Sequence, residues 1–184
     1  MMNDFTLSEK LKITNAKETL VLALKKRFYE LELPYSTRDM FLSGGAIASI
    51  LQEQMPNDFD IYFKDAEISL SISKYFNANT SQVKDISEKY REYAGTDGKT
   101  ITENAITLKN GIQFITKHTG TPEKIRETFD FIHCRPYLDF DSKMLYISKS
   151  QYDACVNKML VVNNPKAVTQ HRLEKFLKKG YRQL

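Results

Sequence analysis

The chain is poor in the residues that staple or break folds. Among 184 residues there are two cysteines, seven glycines and five prolines. Cys134 and Cys155 stand alone, with no C-x-x-C pair. That excludes a disulfide framework and the common zinc or redox motifs, and a reducing, cytoplasmic setting is expected. No apolar run approaches the roughly 18 residues of a membrane span, so no membrane partner is expected. Met1-Met2-Asn3-Asp4-Phe5 lacks the basic stretch and apolar run of a secretory signal. Repeats and low-complexity segments are missing too, and nothing in the sequence sets the oligomeric state.

What is present is ordinary globular material, 41% apolar and 27% charged. The length suits one domain over 1–184, with 148–184 as a possible small helical lobe. The net charge of +4 is unevenly spread. Residues 158–184 hold seven basic side chains against one acid, Glu174. Basicity gathered at one end suits either a polyanion partner or a solvated helix face.

Hydrophobic spacing predicts one helix or two from Leu7 to Leu31, ended by Pro34, with Ile13, Ala16, Leu20, Leu24, Phe28 and Leu31 at helical spacing. Phe41-Leu42-Ser43 reads as a short strand running into Gly44-Gly45. A helix follows over 46–54, then an alternating strand from Asp58 to Phe63. Residues 65–91 read as two helical pieces and 94–99 as a loop. Asn110-Gly111 between β-prone runs at 105–109 and 112–117 predicts a hairpin. Thr121-Pro122 opens a short helix. Phe129 to Tyr137 reads as a strand and 148–160 as a helix. Asn164-Pro165 caps a last helix that Gly180 closes.

The segment Phe41 to Lys64 carries chemistry. Two glycines between strand and helix let backbone come close to a ligand, and the amides opening the helix suit an anion such as phosphate. Ser43 either joins that contact or caps the turn. On a strand, side chains alternate, so Asp58 and Asp60 share one face while Phe59, Ile61 and Phe63 take the other. Two carboxylates beside a phosphate-binding turn can hold Mg²⁺ through hard oxygen ligands. Two such ions about 4 Å apart can clamp the oxygens of a phosphoryl transfer.

This pattern, apolar-Gly-Gly, a helix, then Pro56-Asn57-Asp58-Phe59-Asp60, resembles the head domain of the polymerase-β-type nucleotidyltransferase superfamily. It is closest to the branch of CCA-adding enzymes and bacterial poly(A) polymerases. Looser similarities lie at Arg126 to Ile132 and over the tail from Asn164-Pro165 through His171-Arg172 to Gly180-Tyr181. Gln113-Phe114-Ile115 through His133-Cys134 resembles small stand-alone nucleotidyltransferase-like proteins of tailed bacteriophages.

The resemblance implies an α/β (α+β) nucleotidyltransferase fold, a small mixed sheet backed by helices with helical additions at both ends. It implies Mg²⁺- or Mn²⁺-dependent transfer of a nucleotidyl group from an NTP to a hydroxyl on an RNA or tRNA end or a protein. Asp58, Asp60 and Asp130 would hold metal and serve catalysis. Ser43, Gly44 and Gly45 would contact phosphates, with Arg172 and Lys175 on a basic rail formed with Lys179 and Arg182. RNA or tRNA could use that same helix. Two departures count. Ala48-Ser49 stands where the branch has Arg-Asp. Gln113 stands where the superfamily places a third carboxylate on a neighbouring strand. Asp130 is the substitute, or else a buried carboxylate held by backbone N–H groups, and Glu103 is a weaker candidate. The alternative is a catalytically inactive nucleotide- or RNA-binding module. A toxin or regulator that modifies protein or tRNA ends would share the chemistry. His133 and Arg135 fall on the face opposite Asp130, His118 reads as loop surface, and the cysteines read as small core residues.

Overall fold

The computed structural model describes residues 4–31, 33, 36–85 and 100–183. The predicted loop at 94–99, the second helical piece toward Arg91 and Pro34 lie outside them. The first helix, α1 (Leu7–Tyr29), opens with a capping box in which Thr6 and Glu9 satisfy each other's backbone amides. Its face of Ile13, Ala16, Leu20 and Leu24 is buried, at the predicted spacing.

Strand β1 (Met40–Ser43) is buried along its whole length. Helix α2 (Gly45–Leu51) and strand β2 (Phe59–Phe63) follow. Helix α3 (Ala66–Ala78) is capped by the Asp65 carboxylate, which accepts from the Glu67 and Ile68 amides. The hairpin forms where Asn110-Gly111 placed it, from β3 (Ala105–Thr107) and β4 (Ile112–Thr119). Helix α4 (Pro122–Glu127) starts on its proline. Strands β5 (Tyr137–Asp139) and β6 (Leu145–Tyr146) come next, then α5 (Lys149–Val156), β7 (Met159–Leu160), α6 (Gln170–Lys178) and β8 (Arg182–Gln183).

Six strands form one mixed sheet in the order β3-β4-β2-β1-β5-β6. Within this sheet, among the described residues, the β2–β4 pair is parallel and the other pairs are antiparallel. One face of the sheet carries the main core. Leu42, Phe59, Ile61, Phe63 and Phe114 pack there against Leu20 of α1, Ile47 and Leu51 of α2, and Ile72 and Phe76 of α3. The opposite face carries Phe41, Tyr62 and Tyr137, which pack on Ile125 of α4. Ser43 and Asp60 sit opposite each other on that same face, with Gln113 beside Asp60. A smaller core of Phe131, Cys134, Leu160, Phe176 and Tyr181 fastens α6 to the segment before β5.

Three predicted elements differ. The helix expected over 148–160 ends at Val156, and Met159 and Leu160 pair with β8 instead. Phe129 to Tyr137 is not a strand. Phe131 makes one isolated bridge to Val162, residues Ile132–Cys134 form a turn of 3₁₀-helix, and β5 begins only at Tyr137. The apolar alternation there serves the small core rather than a ladder. Asn164-Pro165 opens a separate 3₁₀ turn, Pro165–Ala167, while Thr169 caps α6 through the Arg172 amide. Gly180 follows the helix end with φ of 83°, as a left-handed C′ residue.

Candidate active site

The predicted alternation puts Asp60 on the open face of β2, half-buried, while Asp58 is exposed just before the strand. Gly44 is fixed by its neighbour. Its φ is 94°, and a Cβ there would lie 2.8 Å from Asp60 Oδ2. Both facts demand glycine: the backbone is left-handed, and the carboxylate packs on the α-carbon. Gly45 has open space around its would-be Cβ.

The Gly-Gly turn is less available to a ligand than the sequence suggests. The Gly44 amide donates to the Cys134 carbonyl at 3.1 Å. Ser43 is fully buried, and its hydroxyl donates to the Pro136 carbonyl at 2.8 Å, with the Cys134 carbonyl at 3.2 Å. Ser43 therefore ties β1 to the segment before β5 instead of facing a phosphate. Gly44, Gly45 and Ala46 do line the cleft.

That cleft measures about 880 Å³, within the size range of small-molecule sites. The sheet wall carries Asp58, Asp60, Tyr62 and Gln113. The wall across from it carries Arg172, Lys175, Lys178 and Lys179 from α6 and its end. Burial raises the Asp60 carboxyl to about 6, and the negative charge of Asp58 pushes the same way. Lys175, Arg172 and Lys179 pull it back down, so the α6 cations act on Asp60 across the cleft. Arg182, the expected end of the basic stripe, lies in β8 instead, because the helix stops at Lys178.

Asp130 also borders the cleft, but its carboxylate is committed. It is 4% exposed. Arg172 Nε donates to Oδ2 at 2.6 Å and Nη2 to Oδ1 at 3.1 Å. The Phe131 amide donates to Oδ1 at 2.9 Å. This bidentate pair anchors α6, so Asp130 and Arg172 spend their charges largely on each other. Among the described residues no three acidic, histidine or cysteine side chains gather as a metal site. Asp58 and Asp60 remain a pair of two. Gln113 lies directly beside Asp60 in the β2–β4 register, and its Nε2 donates to Thr107 Oγ1 at 3.0 Å. Glu103 is exposed outside the cleft wall.

His133 is a core residue. It stacks on Phe131, meets Phe176 edge to face at 4.5 Å between ring centres, and lies tilted against Tyr181 at 4.3 Å. Burial lowers its imidazole to about 3, which keeps the ring neutral. Cys134 and Cys155 are buried as expected, and burial pushes the Cys134 thiol up to about 12. His118 is not loop surface: it sits exposed on β4 and borders the cleft. Sequence reasoning also passed over Tyr62, Phe129, Gln52 and Lys158, which line the cleft. Period-two alternation from Asp60 would have found Tyr62; the others meet only through the tertiary fold.

A family model described as Gabija anti-defense 2 family protein matches residues 14–158. The chain belongs to the Gabija anti-defense 2 family. The matched stretch runs from α1 to the loop after α5, so it contains Asp58, Asp60, Gln113 and Asp130, and α6 lies beyond it. The comparison with curated proteins gave no match. Among solved structures, the Thermotoga maritima CCA-adding enzyme complexed with tRNA superposes at a TM-score of 0.51 and 16% identity, over 79% of this chain and 35% of that one. A CCA-adding enzyme in an apo form gives 0.52 and 15%, over 90% and 39%. A tRNA nucleotidyltransferase complexed with a primer tRNA and an incoming ATP analogue gives 0.50 and 12%, over 79% and 43%. This member of the Gabija anti-defense 2 family therefore has the nucleotidyltransferase fold. It spans only 35–43% of the length of those enzymes.

Proposed function

We propose that the chain is a nucleotidyltransferase acting in counter-defence, of bacteriophage type. In this reading it moves a nucleotidyl group from an NTP to a hydroxyl on an RNA or a protein, and pyrophosphate leaves. One observation carries the reading: the cleft sets a pair of carboxylates, Asp58 and Asp60, across from the cations of α6. A free anion would be repelled by the first wall and a free cation by the second. A polyphosphate complexed with a divalent cation satisfies both.

The donor set fits Mg²⁺ or Mn²⁺. Both groups are carboxylates, and their mutual repulsion and burial already hold Asp60 well above its ordinary range. Asp58 and Asp60 would hold the ion. When bound, it would neutralise charge on the phosphate oxygens and orient the triphosphate. Lys175 and Lys179 would meet the phosphates, while Arg172 is held on Asp130. Gly45, with open space around its α-carbon, would give the triphosphate close access to backbone, whereas the Gly44 amide is already bonded to the Cys134 carbonyl. The exposed side of α6, with Lys178 and nearby Lys166, offers a track for an RNA acceptor. The family's name supports a role against Gabija defence, with the modified acceptor a component on which that defence depends.

A second reading has a specific observation in its favour. Gln113 beside Asp60 carries no charge, and Asp130 is tied to Arg172. A module that binds NTP and cation without transfer would look the same. The deciding experiment uses purified protein, each α-labelled NTP with Mg²⁺ or Mn²⁺, and total bacterial RNA and protein. Label entering one fraction with wild type and absent with Asp58→Ala/Asp60→Ala supports transfer. Cation-dependent NTP binding with no label in either fraction supports the binding module.

A further inference from the structure

Transfer to a hydroxyl demands that the acceptor lose a proton as its oxygen bonds phosphorus. The titratable groups of the cleft wall can be taken in turn. Asp58 and Asp60 face the cations and are taken by the metal in the reading above. Asp130 is held by Arg172 and the Phe131 amide. Burial raises Tyr62, Tyr181 and Cys134, so all three stay protonated near neutral pH. The lysines belong to the opposite wall, with the phosphates. Among the described residues His118 is the one imidazole bordering the cleft, and imidazole is the side chain that exchanges protons near neutral pH.

The strand geometry delivers it there. Ile61 pairs with Phe114, and Phe63 pairs with Thr119. Between these pairs β2 has Tyr62 alone, while β4 has residues 115–118. This bulge breaks the alternation of β4, and it sets His118 one residue before the Phe63–Thr119 pair, where it joins Tyr62 in lining the cleft. The apolar and aromatic residues that line the same cleft, Ile115 and Phe129 among them, offer no competing base.

We propose that His118 is a catalytic residue that accepts the proton of the acceptor hydroxyl; the assignment rests on the nucleotidyl-transfer reading. The acceptor O–H proton passes to an imidazole nitrogen. The oxygen's electron pair forms the new bond to the α-phosphorus. The bond from that phosphorus to the bridging oxygen breaks, and pyrophosphate leaves with its electron pair. The imidazolium returns the proton to solvent, to which His118 is exposed.

The test compares wild type, His118→Ala and His118→Gln in the α-label assay, with total bacterial tRNA and total bacterial protein as the acceptor pools. At saturating NTP, both variants are expected to lose about 100- to 10,000-fold in rate, with half-saturating NTP within about threefold of wild type. Added imidazole is expected to restore part of the rate to His118→Ala and none to Asp58→Ala. A wild-type rate in either variant overturns the assignment. So does a loss that tracks weakened NTP binding, or one that imidazole leaves untouched. Silence of the wild type, with NTP and Mg²⁺ bound, instead refutes the transfer reading on which the assignment rests.

Discussion

Replacing Asp60 by asparagine is expected to stabilise the protein while abolishing its function. The Asp60 carboxyl is raised from 3.8 to about 6 in the folded state, by burial and by Asp58. An acid whose folded value is raised binds its proton more tightly when folded. Its ionisation therefore costs stability as pH rises from about 4 through 6, and the cost is constant above. A shift of about two units amounts to about 3 kcal/mol at pH 8 and roughly half that at pH 5. The asparagine amide does not titrate and escapes the penalty. At about 2–4 °C per kcal/mol for a domain of this size, Asp60→Asn gains about 6–12 °C in Tm at pH 8 and about half as much at pH 5. Differential scanning calorimetry at the two pH values, without divalent cation, measures it. Saturating Mg²⁺ is expected to raise wild type toward the variant and leave the variant unmoved. A variant less stable than wild type at pH 8, or an advantage of equal size at both pH values, would refute the reasoning.

Other substitutions separate the parts of the site. Gly44→Ala forces a Cβ to within 2.8 Å of Asp60 Oδ2 at a φ of 94°; it is expected to cost about 2 kcal/mol or more in urea unfolding and to weaken Mg²⁺-dependent NTP binding. Gly45→Ala, with open space at its Cβ, is expected to stay within about 1 kcal/mol of wild type in stability. Arg172→Met leaves the buried Asp130 carboxylate with the Phe131 amide alone. It is expected to cost about 2–4 kcal/mol, and the double variant with Asp130→Asn recovers much of that in the same denaturant series. Lys175→Ala/Lys179→Ala is expected to weaken NTP binding about tenfold or more and flatten its salt dependence, read by isothermal titration calorimetry, with little change in Tm.

The sequence made the sheet side of the site legible and the helix side much less so. Gly44, Asp58 and Asp60 lie within one strand–helix–strand stretch, where side-chain direction follows from alternation alone. The resemblance places Gln113 beside them, since it implies a strand after a hairpin turn next to the carboxylate strand; the Asn110-Gly111 turn supplies only the hairpin. Asp130 failed that logic. Its segment has the alternation of a strand, yet the alternating residues insert into the small core under α6, and its carboxylate meets Arg172 forty-two residues later. Ser43 failed for a similar reason: nothing local announces that Pro136 and Cys134 supply its partners. His118 was hidden by the bulge in β4, which no spacing rule reveals. The basic tail was visible as composition, but its direction toward Asp60 depends on Phe176 and Tyr181 docking beside Phe131.

The central claim is that the carboxylate pair and the facing cations serve nucleotidyl transfer. Parallel reactions with α-labelled and γ-labelled NTP, carrying the same acceptor pools and Mg²⁺, test it most directly. The account predicts label in the acceptor from the α-phosphate only, one pyrophosphate released per label incorporated, and neither with Asp58→Asn/Asp60→Asn. Label from the γ-phosphate, or incorporation that survives the loss of both carboxylates, would contradict it.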